Sequence, residues 1–118
     1  MNEIYEKSLL LDFYGELLTQ KQREICQLSM TEDWSLGEIA ESLRISRQGV
    51  QDALKRSEKI LFDAENKLGM AKRFVMTQHA LDELSDMITK EKPSAEVIKR
   101  IEHLKEEIMP KEQDYIDE

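Results

Sequence analysis

The sequence predicts an all-helical protein, and three observations point that way. Only four Gly and two Pro occur in 118 residues, too few turn-formers for a many-stranded β fold. Charged residues make up 36% and hydrophobic ones 40%, which suits amphipathic helices and is too apolar for a disordered polyampholyte. Apolar residues also recur at three- and four-residue steps along most of the chain, the spacing that keeps them on one helix face. The length fits one ordinary domain, or a small domain with an appendage, and excludes a large multidomain enzyme.

The elements follow in order. Ile4, Leu9, Leu11, Phe13, Tyr14, Leu17 and Leu18 predict a buried first helix over 3–18 that breaks or bends near Gly15. Thr19 starts a second helix: its hydroxyl caps free amides while Gln22 reaches back, and Ile25 and Leu28 form the inward stripe. This helix fades by Thr31 to Asp33. Ser35 and Glu38 form a second capping box, with Trp34 and Ile39 flanking it at staple spacing. The third helix therefore starts at Ser35 and runs to about Leu43, since Ser46 is another N-cap, again flanked by a staple pair in Ile45 and Val50.

Val50, Ala53, Leu54, Ile60, Leu61 and Leu68 sustain a long fourth helix from Arg47, and Gly69 is placed to end it in a left-handed cap. Beyond Gly69 two amphipathic helices are expected, joined by a short loop. Phe74, Leu81, Leu84 and Ile88 mark the first, and Val97, Ile101, Leu104 and Ile108 mark the second, with Ser94 as its cap. The acidic tail after Pro110 is expected to fray. Residues 1–69 are expected as one helical domain. Residues 70–118 form a hairpin too short for a free coiled coil, which either closes the core or mediates dimerisation.

The net charge is −8, from 17 basic and 25 acidic residues, which argues against unspecific attraction to polyanions. Both halves divided at Gly69 carry −4, so any nucleic-acid site is a local patch. No apolar run approaches the ~18 residues of a membrane span, and the acidic N-terminus is unlike a signal peptide, so a cytoplasmic protein without membrane insertion is expected. The single cysteine, Cys26, sits among apolar residues at helical spacing and is read as a small buried hydrophobe.

A short helix, a turn of about three residues at Arg44-Ile45-Ser46 and a second helix starting at a serine is helix-turn-helix geometry. Ile39 and Leu43 pack inward, Ala40 permits close helix approach, Ile45 fills the turn, and Val50 and Ala53 anchor the second helix. Arg44 stands where a turn glycine is usual. The remaining face of the second helix carries Ser46, Arg47, Gln48, Gln51, Asp52, Lys55, Arg56 and Lys59. Arg47 suits guanine edges; Gln48 and Gln51 suit adenine edges. Arg44, Lys55, Arg56 and Lys59 suit phosphates, although Lys55 also reaches the groove, and Ser46 is cap and candidate phosphate donor. Between Arg44 and Lys59, five basic residues stand against two acidic ones, a local +3. Asp52 works against DNA contact unless it accepts from a cytosine amino group. The bland alternative is a capped helix whose wet face merely carries Lys and Arg.

The segments Thr19-Gln20-Lys21-Gln22-Arg23-Glu24-Ile25, Ser35-Leu36-Gly37-Glu38-Ile39-Ala40 and Ile45-Ser46-Arg47-Gln48-Gly49-Val50 resemble region 4 of bacterial sigma factors, the promoter −35 reader. Leu11-Asp12-Phe13-Tyr14-Gly15-Glu16-Leu17-Leu18-Thr19 together with Ser46-Arg47-Gln48-Gly49-Val50 resembles the YlxM family of small bacterial proteins over the whole length. That resemblance implies a sigma-region-4-like, winged-helix-like domain followed by a C-terminal helical hairpin. It also implies a DNA-binding protein encoded beside signal recognition particle genes, with a regulatory part in that targeting pathway. Double-stranded DNA is thus the first expected partner. A protein or RNA component of the particle and a second copy of the chain are others.

Other chemistry is poorly supported. His79 and His103 lie on different predicted helices and lack the clustered spacing of metal ligands, so they read as solvent-facing. Asp82-Glu83 and Glu106-Glu107 fall on polar faces where carboxylates stay hydrated. With no phosphate-cradling glycine loop or nucleophile elbow, no enzyme and no cofactor are expected. Methionines 70, 76, 87 and 109 read as core filler or adaptable contact surface. The rival reading is an acidic adaptor that binds a basic protein partner of the signal recognition particle machinery without touching DNA.

Overall fold

The computed structural model describes residues 3–108. The described residues are helical, with no strand among them, so the domain has no β-wing. Six α-helices run in order: α1 (Glu3–Tyr14), α2 (Gln20–Cys26), α3 (Leu36–Leu43), α4 (Arg47–Leu68), α5 (Met70–Thr89) and α6 (Ser94–Ile108). The chain divides between Ala71 and Lys72 into two compact units. The acidic tail and Met109 lie outside the described residues.

In the first unit, α1 ends where Gly15–Leu17 tighten into a 3-10 turn, the break expected at Gly15. Its burial differs from the periodicity reading. Leu10, only 2% exposed, is a core residue, whereas Leu17 is 60% exposed because the 3-10 turn rotates it outward. Helix α2 passes into a π-helical turn, Gln27–Thr31, and Asp33 takes a left-handed conformation at φ 58°. The chain is thereby turned into the Ser35 cap of α3.

Helix α4 is the central support, in contact with α1, α2 and α3. Its inward stripe is Val50, Ser57, Leu61 and Ala64. Leu68, expected in that stripe, is instead half exposed in the last turn. Fully buried Ser57 went unforeseen; its hydroxyl donates to the Ala53 carbonyl at 2.7 Å, which removes the cost of a lone buried polar group. Cys26 is fully buried beside Ser57, and burial raises its thiol pKa, so it behaves as the small hydrophobe expected.

Gly69, at φ 63°, ends α4 in the left-handed cap read from the sequence. The restart of α5 is held by the side chains of Tyr14, far back in the chain, and of nearby Glu65. The Tyr14 hydroxyl donates to Glu65 Oε1 at 2.7 Å and accepts from the Met70 amide at 3.0 Å, while Glu65 Oε1 also accepts from the Ala71 amide. Two otherwise orphaned amides of a helix N-terminus are thus satisfied. Burial first, and then the bond to Glu65, raise the Tyr14 pKa.

In the second unit, α5 and α6 are joined by a turn in which Glu91 is left-handed at φ 54°. Arg100 donates two hydrogen bonds to Glu83, of 3.0 and 2.9 Å, and this pairing holds the Glu83 carboxyl below its ordinary range. Ala80 and Leu104 are the buried apolar residues here. Phe74, Leu81 and Ile88, which mark the apolar side of this helix in the sequence, are exposed. A two-helix pair buries one narrow strip per helix, and on α5 that strip runs through the small Ala80, which allows close approach. Nor is Ser94 the cap: Pro93 holds that position, its carbonyl accepting from the amides of Glu96 and Val97.

Candidate nucleic-acid interface

Side-chain caps fix the helix-turn-helix. Thr19 and Gln22 form a reciprocal capping box at the start of α2, and Ser35 and Glu38 form another at α3. Bonding to Ser35 lowers the Glu38 pKa. Ser46 Oγ accepts from the Gly49 amide at 2.9 Å to start α4. Between α3 and α4, Arg44 adopts φ 57° and ψ 45°, the left-handed conformation usually left to glycine. The amides of Arg44 and Ile45 both bond back to the Ala40 carbonyl, which closes the turn.

Beneath this turn Ile25, Ile39, Ala40 and Val50 form a buried cluster, with Leu28, Leu43, Ile45, Ala53 and Leu54 packed against it. Every residue assigned an inward role in the helix-turn-helix has one. The core consumes a single side of α4 and leaves the opposite side of its first three turns in water.

Arg44, Ser46, Arg47, Gln48, Gln51, Lys55, Arg56 and Lys59 are all exposed. Gln48, Gln51, Lys55 and Lys59 follow one another at three- or four-residue steps and share the outward face of α4. Gln48 Nε2 donates to Asp52 Oδ1 at 2.9 Å, so the acid is already engaged within this face. Lys59 pairs with Asp63 at 3.3 Å, an exposed contact that gives way readily to a stronger anion.

Two residues lie apart from that row. The Arg47 guanidinium leans across the start of α3, where a Cβ on Gly37 would come within 3.1 Å of one of its terminal nitrogens. Gly37 thus leaves room for the arginine between the two helices of the motif. Arg56 turns toward α2 and lines a shallow groove of about 400 Å³ with Thr19, Lys21, Gln22, Gly49 and Asp52. Lys21 is the basic residue that the sequence reading did not assign to this surface. Its nearness to Arg56 depends on α2 packing against α4, which no local spacing reports.

Elsewhere, His103 Nε2 contacts Glu107 Oε1 at 2.9 Å, and both are exposed. Among the described residues no group of three His, Cys, Asp or Glu side chains is placed to hold a metal ion. No described helix is long and apolar enough to cross a membrane.

Three short helices on a common core, with a tight turn into an exposed and locally basic fourth, define a helix-turn-helix protein. Comparison with known proteins places it further. Residues 1–103 match the family described as "Putative helix-turn-helix protein, YlxM / p13 like", UPF0122, and the chain belongs to that family. It is 46% identical over 115 residues to a UPF0122 protein of Acetivibrio thermocellus, covering 92% of this chain and 98% of that one. A UPF0122 protein of Thermoanaerobacter sp. is 47% identical over 104 residues, covering 86% and 89%, and one of Listeria innocua is 41% identical over 99 residues, covering 83% and 90%.

Proposed function

We propose that this protein is a DNA-binding regulator that lays the start of α4 in a major groove. The observation that carries the reading is the exposed +3 stretch from Arg44 to Lys59, set on the second helix of a helix-turn-helix in a chain of net charge −8. Gln48 and Gln51 read base edges, Arg47 moves off Gly37 onto a guanine, and Lys55 enters the groove behind them. Arg44, Arg56 and Lys59 hold phosphates and set the register, Ser46 supports them at the helix start, and Lys21 extends the row across the α2 groove. The chemistry is recognition, with no reaction and no cofactor.

Fluorescence anisotropy of the full chain against labelled fragments of its own genome, at low and physiological salt, tests this. Saturable binding that weakens with salt is expected, because phosphate contacts release counterions. Arg47→Ala is expected to cost about 1–3 kcal/mol of specific binding with the fold intact. Absence of binding at both salts overturns the reading.

The resemblance to YlxM proteins supports a narrower version, in which regulation serves the signal recognition particle pathway. The second reading, an acidic adaptor for a basic component of that particle, is favoured by the −4 carried by each half of the chain. It predicts that charge reversals on the C-terminal acidic face abolish partner capture while Arg47→Ala leaves it unchanged.

A further inference from the structure

We propose that Asp52 is the positioning residue that makes Gln48 select adenine over guanine in the major groove. This rests on the nucleic-acid reading and deepens it, since Asp52 acts through Gln48 rather than on a base. Gln48 Nε2 donates to Asp52 Oδ1 at 2.9 Å, one turn further along α4, and both residues are exposed. A glutamine amide normally turns either end toward a neighbour, because its oxygen accepts and its nitrogen donates. A carboxylate removes that choice. It only accepts, so the nitrogen of Gln48 must face Asp52. One of the two N–H groups is thereby used, and the carbonyl oxygen and the second N–H remain for a base.

What remains is one acceptor beside one donor. Adenine offers the complement in the major groove, a donor at N6 beside an acceptor at N7. Guanine offers two acceptors, O6 and N7, which an unconstrained glutamine meets by turning its nitrogen toward the base. With that nitrogen held at Asp52, the carbonyl oxygen of Gln48 meets a guanine acceptor and is repelled. The acid on this face thus has a use that its charge alone conceals. Its repulsion of phosphates is offset nearby, because Asp52 shares the groove between α2 and α4 with the basic Lys21 and Arg56.

Selection of the full chain on duplexes with a randomised segment, followed by fluorescence anisotropy on the enriched duplex, tests this. Gln48→Ala identifies the base pair that Gln48 reads, as the position where preference disappears. There the wild type is expected to prefer adenine to guanine by about tenfold. Asp52→Asn keeps the size of the side chain but donates as well as accepts, so the preference is expected to fall about fivefold, the worth of one hydrogen bond. Binding of the same variant to duplex of unrelated sequence is expected to rise, because a negative charge has gone. Asp52→Glu keeps a carboxylate within reach and is expected to retain the preference, and both variants are expected to keep the helical circular dichroism signal. A preference unchanged by Asp52→Asn, one lost in Asp52→Glu, or no position altered by Gln48→Ala overturns this proposal and leaves the nucleic-acid reading standing. Failure of the wild type to bind any duplex overturns both.

Discussion

In the helix-turn-helix unit Ile25, Ile39 and Val50 are all but removed from solvent, while in the hairpin Leu81, Ile88 and Ile98 stay more than half exposed. The residue types and the helical spacing are the same in both. What differs is the number of helices that converge. Helices α2, α3 and α4 each present a stripe to a common centre, so a residue anywhere on a broad apolar face finds cover. A pair of helices offers each other one line of contact, and the small Ala80 and the Glu83–Arg100 bonds occupy it. Periodicity tells that a helix has an apolar side; the number of neighbours decides whether that side is buried.

The largest effect that sharpens this contrast comes from truncating matched aliphatic residues. Ile39→Ala is expected to lower the unfolding free energy by about 3 kcal/mol in urea titrations, from lost burial plus the cavity left behind. Leu81→Ala, measured on dilute protein, is expected to stay within about 0.5 kcal/mol of the parent. Equal losses at the two positions would break the comparison.

Next in size is the junction at Gly69. Tyr14→Phe removes both the donor to Glu65 and the acceptor for the Met70 amide. A cost of about 1–2 kcal/mol in thermal unfolding is expected, with faster hydrogen exchange at Met70.

Helix caps give a smaller contrast between two serines that look alike in the sequence. Ser35→Ala breaks a reciprocal capping box and is expected to cost about 1 kcal/mol. Ser94→Ala is expected to change stability by no more than a few tenths, because Pro93 occupies the cap position and alanine is a good helix former. Circular dichroism melts of the two variants check both.

The smallest effect is electrostatic and belongs to the hairpin. Arg100 depresses the Glu83 pKa, so the pair contributes stability that is full above the unfolded carboxylate value and lost as pH falls through the lower folded value. Acid titration of the wild type is expected to show this loss below about pH 4. Glu83→Gln is expected to lack it and to be slightly less stable than the wild type at neutral pH.

These contrasts also explain how much of the molecule was legible in the sequence. Thr19 with Gln22, Ser35 with Glu38, Ser46 before its helix and Gly69 after it act within four residues, and each bond they imply is present. The inward roles of Ile39, Ala40, Ile45 and Val50 were legible because caps fix where each helix begins, and hence which way each side chain points. Leu17 points outward because of a local 3-10 turn that periodicity does not report, and the exposure of Leu68 and of the Phe74–Leu81–Ile88 stripe depends on which helices pack nearby. Buried Ser57, the Tyr14–Glu65 bridge and the nearness of Lys21 to Arg56 are products of packing in the same way. The exposed face of α4 was legible as a set of residues, whereas the lean of Arg47 over Gly37 and the Gln48–Asp52 bond needed coordinates.

The measurement that most directly tests the central claim is amide chemical-shift mapping of the full chain during titration with duplex DNA. Shifts are expected to concentrate between Arg44 and Lys59, with a second group near Lys21, and to leave α6 unmoved. Shifts confined to the hairpin, or none in the presence of excess duplex, would contradict the account.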